Sequence, residues 1–222
     1  MKWFLANGRT FPWREQGTDP FGLLISEMLL RQTRAEGVAR VWPKLMKKYP
    51  DASRMAKANR RELRGLIKIL GFGTMRSDAL KIASKWLVEE HDGRVPENFQ
   101  ALIRIPHIGA YSANAILSFA FGQKVEIVDG NVLRFFSRYY GLKIKPDIRR
   151  NPEVVKRARQ SLPKERRKVA PHNYGILDFT AEICRPVSPR CNICPIISSC
   201  RLGKELTKEP NKSRRLRLKR EL

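Results

Sequence analysis

Acidic residues are scarce in this chain: 21 Asp and Glu stand against 45 Lys and Arg over 222 residues, a formal charge of +24. That balance argues against a cationic partner and favours a polyanion, of which nucleic acid is the commonest. A merely solvated basic surface is the plainer alternative. Long apolar runs are missing as well. No stretch approaches the ~20 apolar residues that cross a bilayer, so no membrane partner is expected. The opening MKWFLANGRTFPW breaks its short apolar patch at Asn7, Gly8 and Arg9, unlike a signal peptide. The expectation is a soluble intracellular protein, cytoplasmic and nucleoid-associated in a prokaryote or nuclear in a eukaryote. Strand signals are the third shortage. Alternation of apolar and polar residues never persists, which argues against a sheet protein. Cysteine is absent before residue 184.

Helical spacing is abundant. Val38, Val41, Trp42 and Leu45 form one apolar stripe; Leu63, Leu66, Ile67 and Leu70 form a second; Leu80, Ile82, Ala83 and Leu87 form a third. Stops fall where helices should end, at Tyr49-Pro50, at the GFG of 71–73 and at the DGRVP of 92–96. The fold class expected is all-α, with about ten short helices. KVEIVDG at 124–130 is the one candidate strand and reads as an extended connection. Beyond residue 140 positive charge thickens, in segment 143–168 and again in the tail 201–222, which carries nine Lys/Arg against three Glu. The tail reads as a basic arm touching phosphates or as a solubilising extension.

Residues 23–30, LLISEMLL, place Glu27 among leucines. A buried ionised carboxylate is costly, so Glu27 must reach solvent, find a partner or stay protonated. Four cysteines occupy 184–200, CRPVSPRCNICPIISSC, in a C-x6-C-x2-C-x5-C spacing. Clustering this tight suits a metal better than disulfides. Zinc generally takes two separated short pairs, whereas one short pair with two flanking singles suits an iron–sulfur cube; four reduced thiols are the remaining reading.

At 102–114 the chain reads LIRIPHIGAYSAN. A tight turn using Gly109 feeds a new helix, whose free backbone N–H groups suit a phosphate oxygen. Such turns are common in plain helical proteins. About twenty residues on, VDGNVLRFF sets Asp129 at the mouth of another helix, with Asn131 close behind. Asp129 reads as an N-cap, a role compatible with catalysis because a cap is rigidly held.

IPHIGAYSA, VDGNV and the cysteine spacing, in this order, resemble the helix-hairpin-helix DNA glycosylases. The similarity covers residues 3 to 200 and falls in the branch holding endonuclease III and the adenine and thymine mismatch glycosylases, nearest the last. It implies two helical domains with DNA in the cleft between them. A six-helix domain would span 20–125, and a cluster domain would join 1–19 to 126–200, with 201–222 as tail. It implies a [4Fe-4S] cluster on Cys184, Cys191, Cys194 and Cys200. Double-stranded DNA with a mispaired or damaged base would be the partner, bound by a monomer in base excision repair. Asp129 matches the family's essential aspartate, which stabilises the oxocarbenium-like sugar. Glu27 sits where the mismatch glycosylases carry a catalytic acid and endonuclease III has no carboxylate. Gln32 matches a residue that fills the duplex once the target nucleotide flips out, although a solvated helix residue is the plainer reading. Asn131 would orient the aspartate or a phosphate, and His107 and Gly109 belong to the phosphate-binding turn.

Position 111 separates the branches. Bifunctional endonuclease III enzymes have lysine there and adenine glycosylases usually serine, while Tyr111 matches the thymine mismatch branch and cannot form an imine. Base removal without efficient strand cleavage is expected, with Lys124, close by in sequence, as the amine for any weak lyase activity. The turn GFGTM at 71–75 lacks the tyrosine pair of the adenine branch, and the large C-terminal domain of that branch is not expected. His107 departs from the family's usual glycine. The expected activity is removal of thymine or uracil opposite guanine. Alternatives are adenine removal, another damaged or modified base, a catalytically silent DNA-binding module, or a zinc-bearing RNA scaffold.

Overall fold

Among the described residues six helices begin with an Asx residue that caps its own first turn, which is why the short segments hold their boundaries. Asp19 accepts from Phe21 N, Asp51 from Arg54 N, Asn59 from Arg61 N and Glu62 N, Asn98 from Ala101 N, Asp129 from Val132 N, and Asn151 from Glu153 N and Val154 N. The computed structural model describes residues 1–15, 17–143 and 151–208. The helices are α1 Lys2–Asn7, α2 Pro20–Leu30, α3 Ala35–Lys48, α4 Ala52–Ala56, α5 Arg60–Ile67, α6 Gly73–His91, α7 Phe99–Leu102, α8 Ala110–Phe119, α9 Gly130–Tyr140, α10 Pro152–Ser161, α11 Val169–Glu182 and α12 Arg201–Lys208. The fold is all-α, and among the described residues no strand forms and no helix is long and apolar enough to cross a membrane. Segment 124–129 forms neither helix nor strand and ends in extended Asp129, at φ −103° and ψ −175°.

The chain divides into two units, Thr10–Gln123 and Met1–Arg9 with Lys124–Leu222. In the first, α2 is the buried axis. Every residue from Phe21 to Leu29 is buried, and α3, α6 and α8 pack around it. A helix apolar on all sides has no solvent face, which explains the unbroken LLISEMLL run. The expected stripes bury Val38, Val41 and Leu45 on α3, Leu63 and Ile67 on α5, and Leu80, Ala83 and Leu87 on α6. Ile82 departs from its stripe: it lies on the outer face of α6 and is exposed.

In the second unit, α1 lies on α11. Trp3 meets Phe179 edge to face with ring centroids 5.1 Å apart, and a Cβ on Gly175 would stand 3.2 Å from Phe4 Cβ. Fully buried Asp178 accepts from the Arg9 backbone N at 2.9 Å and from its Nε at 2.8 Å. Val132, Leu133 and Phe136 of α9 form a core with Val154 and Ala158 of α10.

Two expectations about the basic segments change. Within 143–168, residues 144–150 lie outside the described residues. The rest carries structure: Arg157 pairs with Glu153, Arg159 with Glu126, and Arg167 and Lys168 both with Glu165. Part of that charge is therefore already neutralised. In the tail, 201–208 is not a frayed arm but helix α12, packed on α9. A Cβ on Gly203 would lie 2.6 Å from Ile197 O, so this helix needs glycine to seat against the cysteine loop. Residues 209–222 lie outside the described residues.

Candidate active site and cysteine loop

In the first unit the hairpin differs from its sequence reading in one respect. The left-handed residue is His107, with φ +68°, and not Gly109, whose φ of −103° any residue adopts. A Cβ at Gly109 would meet nothing within 4 Å, so glycine there leaves bare backbone at the mouth of α8. No side chain caps α8, so no cap competes with an anion for its first N–H groups. His107 adopts the conformation that glycine would have taken, and Arg31 Nη1 donates to its carbonyl at 3.1 Å. Arg31 precedes Gln32, whose φ is also positive at +53°. Each such residue stores on the order of 1 kcal/mol or more and persists only where neighbours enforce it. Two residues picked from sequence for DNA contact are thus both strained, exposed, and joined through Arg31.

Glu27 is 7% exposed, on the third turn of α2, and Tyr111 is half-buried in the first turn of α8. Those two helices pack on each other. Lys124 is exposed at the start of the extended connection.

In the second unit Asp129 caps α9. Its Oδ1 accepts from Val132 N at 2.7 Å and its Oδ2 from Asn131 Nδ2 at 2.9 Å. The chain of bonds continues: Asn131 Oδ1 accepts from Arg134 Nη1 at 2.9 Å, and Arg134 donates through Nε and Nη2 to Cys184 O at 3.2 and 3.1 Å. The carboxylate and the cysteine loop are therefore linked by side chains of one helix. One turn on, Arg138 donates to Arg185 O at 2.6 Å, to Pro186 O at 3.0 Å and to Cys184 Sγ at 3.8 Å. Sequence reasoning missed both arginines. Their signal was periodicity alone, Asn131, Arg134 and Arg138 falling at i, i+3 and i+7 on one helix face.

None of the four cysteines forms a disulfide, and each is half-buried. Burial pushes the Cys191 thiol up to about 11, with Cys184, Cys194 and Cys200 adding to the rise; burial also raises Cys194 and Cys200. The sulfurs feel one another, so they share one locus. Among the described residues no three or more His, Cys, Asp or Glu are drawn together as a single metal ion requires. Zinc would need sulfurs about 3.8 Å apart, from Zn–S bonds near 2.3 Å. A cube takes each thiolate at a separate corner, farther apart, and an all-cysteine donor set in a loop braced by two arginines fits that group.

Residues 25–163 match the HhH-GPD superfamily base excision DNA repair protein family. The chain belongs to that superfamily. It is 32% identical over 204 residues to the thymine/uracil-DNA glycosylase of Pyrobaculum aerophilum, covering 90% of this chain and 87% of the relative. It is 33% identical to the thymine/uracil-DNA glycosylase of Methanothermobacter thermautotrophicus, covering 86% of each. The solved structure of a thermostable thymine-DNA glycosylase superposes with a TM-score of 0.83 at 30% identity, over 92% of this chain and 93% of that one. Within the HhH-GPD superfamily, then, this chain is a DNA glycosylase of base excision repair, a hydrolase acting on N-glycosyl bonds, and DNA is its substrate.

Proposed function

We propose that this glycosylase removes thymine or uracil mispaired with guanine, acting as a monomer and leaving the abasic strand uncut. The observation that carries the reading is Tyr111: a phenol in place of an imine-forming amine at the start of α8, in a chain whose relatives named above are thymine/uracil-DNA glycosylases. In the proposed step the flipped nucleotide's N-glycosidic bond breaks with its electron pair on the base. Glu27 gives a proton to the departing base, and the Asp129 carboxylate stabilises the cationic sugar, then receives a proton from the water that adds to C1′. Asn131 and Val132 N fix the aim of Asp129, since both its oxygens are already directed.

Phosphates would seat at the bare amides after Gly109, with His107 at the turn, and Gln32 would occupy the space left in the duplex. Cys184, Cys191, Cys194 and Cys200 would hold a [4Fe-4S] cluster, which when bound supplies bracing of this loop and no chemistry at the sugar. Arg134 and Arg138 keep the loop's carbonyls paired. The test is a panel of duplexes carrying T, U, A or an oxidised base opposite each normal base, assayed with and without alkali. Release of T and U opposite guanine, with strand breaks only after alkali, is expected. Preferential release of adenine would overturn the substrate assignment.

A further inference from the structure

Arg76 of α6 is 8% exposed, an unusual place for a guanidinium. Its hydrogen-bond partners are backbone and hydroxyl oxygens. Nη1 donates to Leu29 O at 3.0 Å, Nη2 to Arg31 O at 2.8 Å and to Thr33 Oγ1 at 2.5 Å, and Nε to Gly71 O at 3.1 Å. Residues 31 and 33 flank Gln32, so one nitrogen grips the turn on both sides of its left-handed residue. The same guanidinium reaches the second left-handed turn, Gly71 at φ +73° and Phe72 at φ +50°, where Phe72 is 64% exposed. Leu29 belongs to the last turn of α2, whose terminal carbonyls have no intrahelical donor and attract a cation.

We infer that Arg76 is a positioning residue: it holds the Gln32 turn in its strained form, locked to the Phe72 turn, so that Gln32 is presented to the duplex already in place. The inference rests on Gln32 acting at the duplex. Strain of this kind persists only when the surroundings over-determine it. Here the turn's own Thr33 N to Leu30 O bond, at 3.2 Å, is joined by the Arg76 fork, which grips it from α6. Arginine is required by geometry. Four acceptors lie around a fixed fork of donors, and a lysine in its place keeps the charge but offers a single point from which they cannot all be reached. The bonds of Arg76 go to residues 29, 31, 33 and 71, so its effect should travel through Gln32.

The test is a double-mutant cycle on a T·G duplex, read by single-turnover excision and by the fluorescence of a 2-aminopurine placed beside the target, which reports opening of the stack. Arg76→Lys should slow excision about tenfold and suppress the fluorescence rise, a displacement effect, while affinity for undamaged duplex stays within about twofold. Gln32→Ala alone should also lose excision. In that background Arg76→Lys should add less than about twofold, because coupled residues are not additive. If Gln32→Ala is impaired but Arg76→Lys slows it by the same factor as the wild type, or does nothing in either, the positioning role is overturned. A fully active Gln32→Ala overturns the reading of Gln32 itself, and the inference with it. Thermal melting checks folding. Should Arg76→Lys not fold, Thr33→Val removes one acceptor only, and the same non-additivity with Gln32→Ala is expected on a smaller effect; additivity there is equally fatal.

Discussion

Asn131 donates its Nδ2 to Asp129 Oδ2 at 2.9 Å while accepting from Arg134 on its other side. Asparagine is amphoteric, so it can pass order from a cation to a carboxylate without cancelling the latter's charge. Asp129 is thus held at both oxygens, one by the helix and one by this side chain. Asp129→Asn keeps size and capping, so folding stability should change by less than about 1 kcal/mol. Base release should nevertheless be abolished, with duplex binding intact or tighter. Asn131→Ala should fall between, slowing release without abolishing it. Both are read by excision kinetics beside a thermal melt.

Glu27→Gln removes the acid at constant shape inside the buried face of α2. Excision should drop by about a hundredfold or more, and most for bases that leave poorly unless protonated. Wild-type rates in both Glu27→Gln and Asp129→Asn would support a silent DNA-binding module instead.

Tyr111→Lys places an amine at the first turn of α8. Borohydride-trappable crosslinks and strand nicking should appear, still dependent on Asp129. The wild type should show neither. Strong trapping by the wild type would transfer the work to another amine, Lys124 being the candidate.

Purified protein should be yellow-brown with about four irons per chain, the load of one cube. A colourless protein holding one zinc would refute the cluster. Arg138→Met leaves the carbonyls of Arg185 and Pro186 without their donor. The brown absorbance should then bleach faster in air, by a few-fold, than in the wild type.

Removing residues 209–222 deletes six Lys/Arg and two Glu. Affinity should fall similarly on all sequences, with a shallower dependence on salt, because phosphate contacts carry no sequence information. A change confined to mismatch preference would mean that the tail reads bases.

Much of this protein was legible from residue order alone. The Asx caps, the apolar stripes and the Gly/Pro stops set the helices, because those signals act within a turn or two of themselves. Asp129 as the N-cap of α9 was legible too, and the spacing of the four cysteines set them in one loop. Tertiary structure alone decided what joins distant segments. It gave the hairpin's left-handed conformation to His107, turned the first part of the basic tail into a packed helix, and placed Ile82 outside the core. It also brought Arg134 and Arg138 to a loop some fifty positions away and buried Arg76 between two turns. In sequence each arginine was one cation among forty-five Lys and Arg. What distinguishes them is which carbonyls their forks reach, and a guanidinium's partners are fixed by packing in three dimensions, which local spacing does not encode.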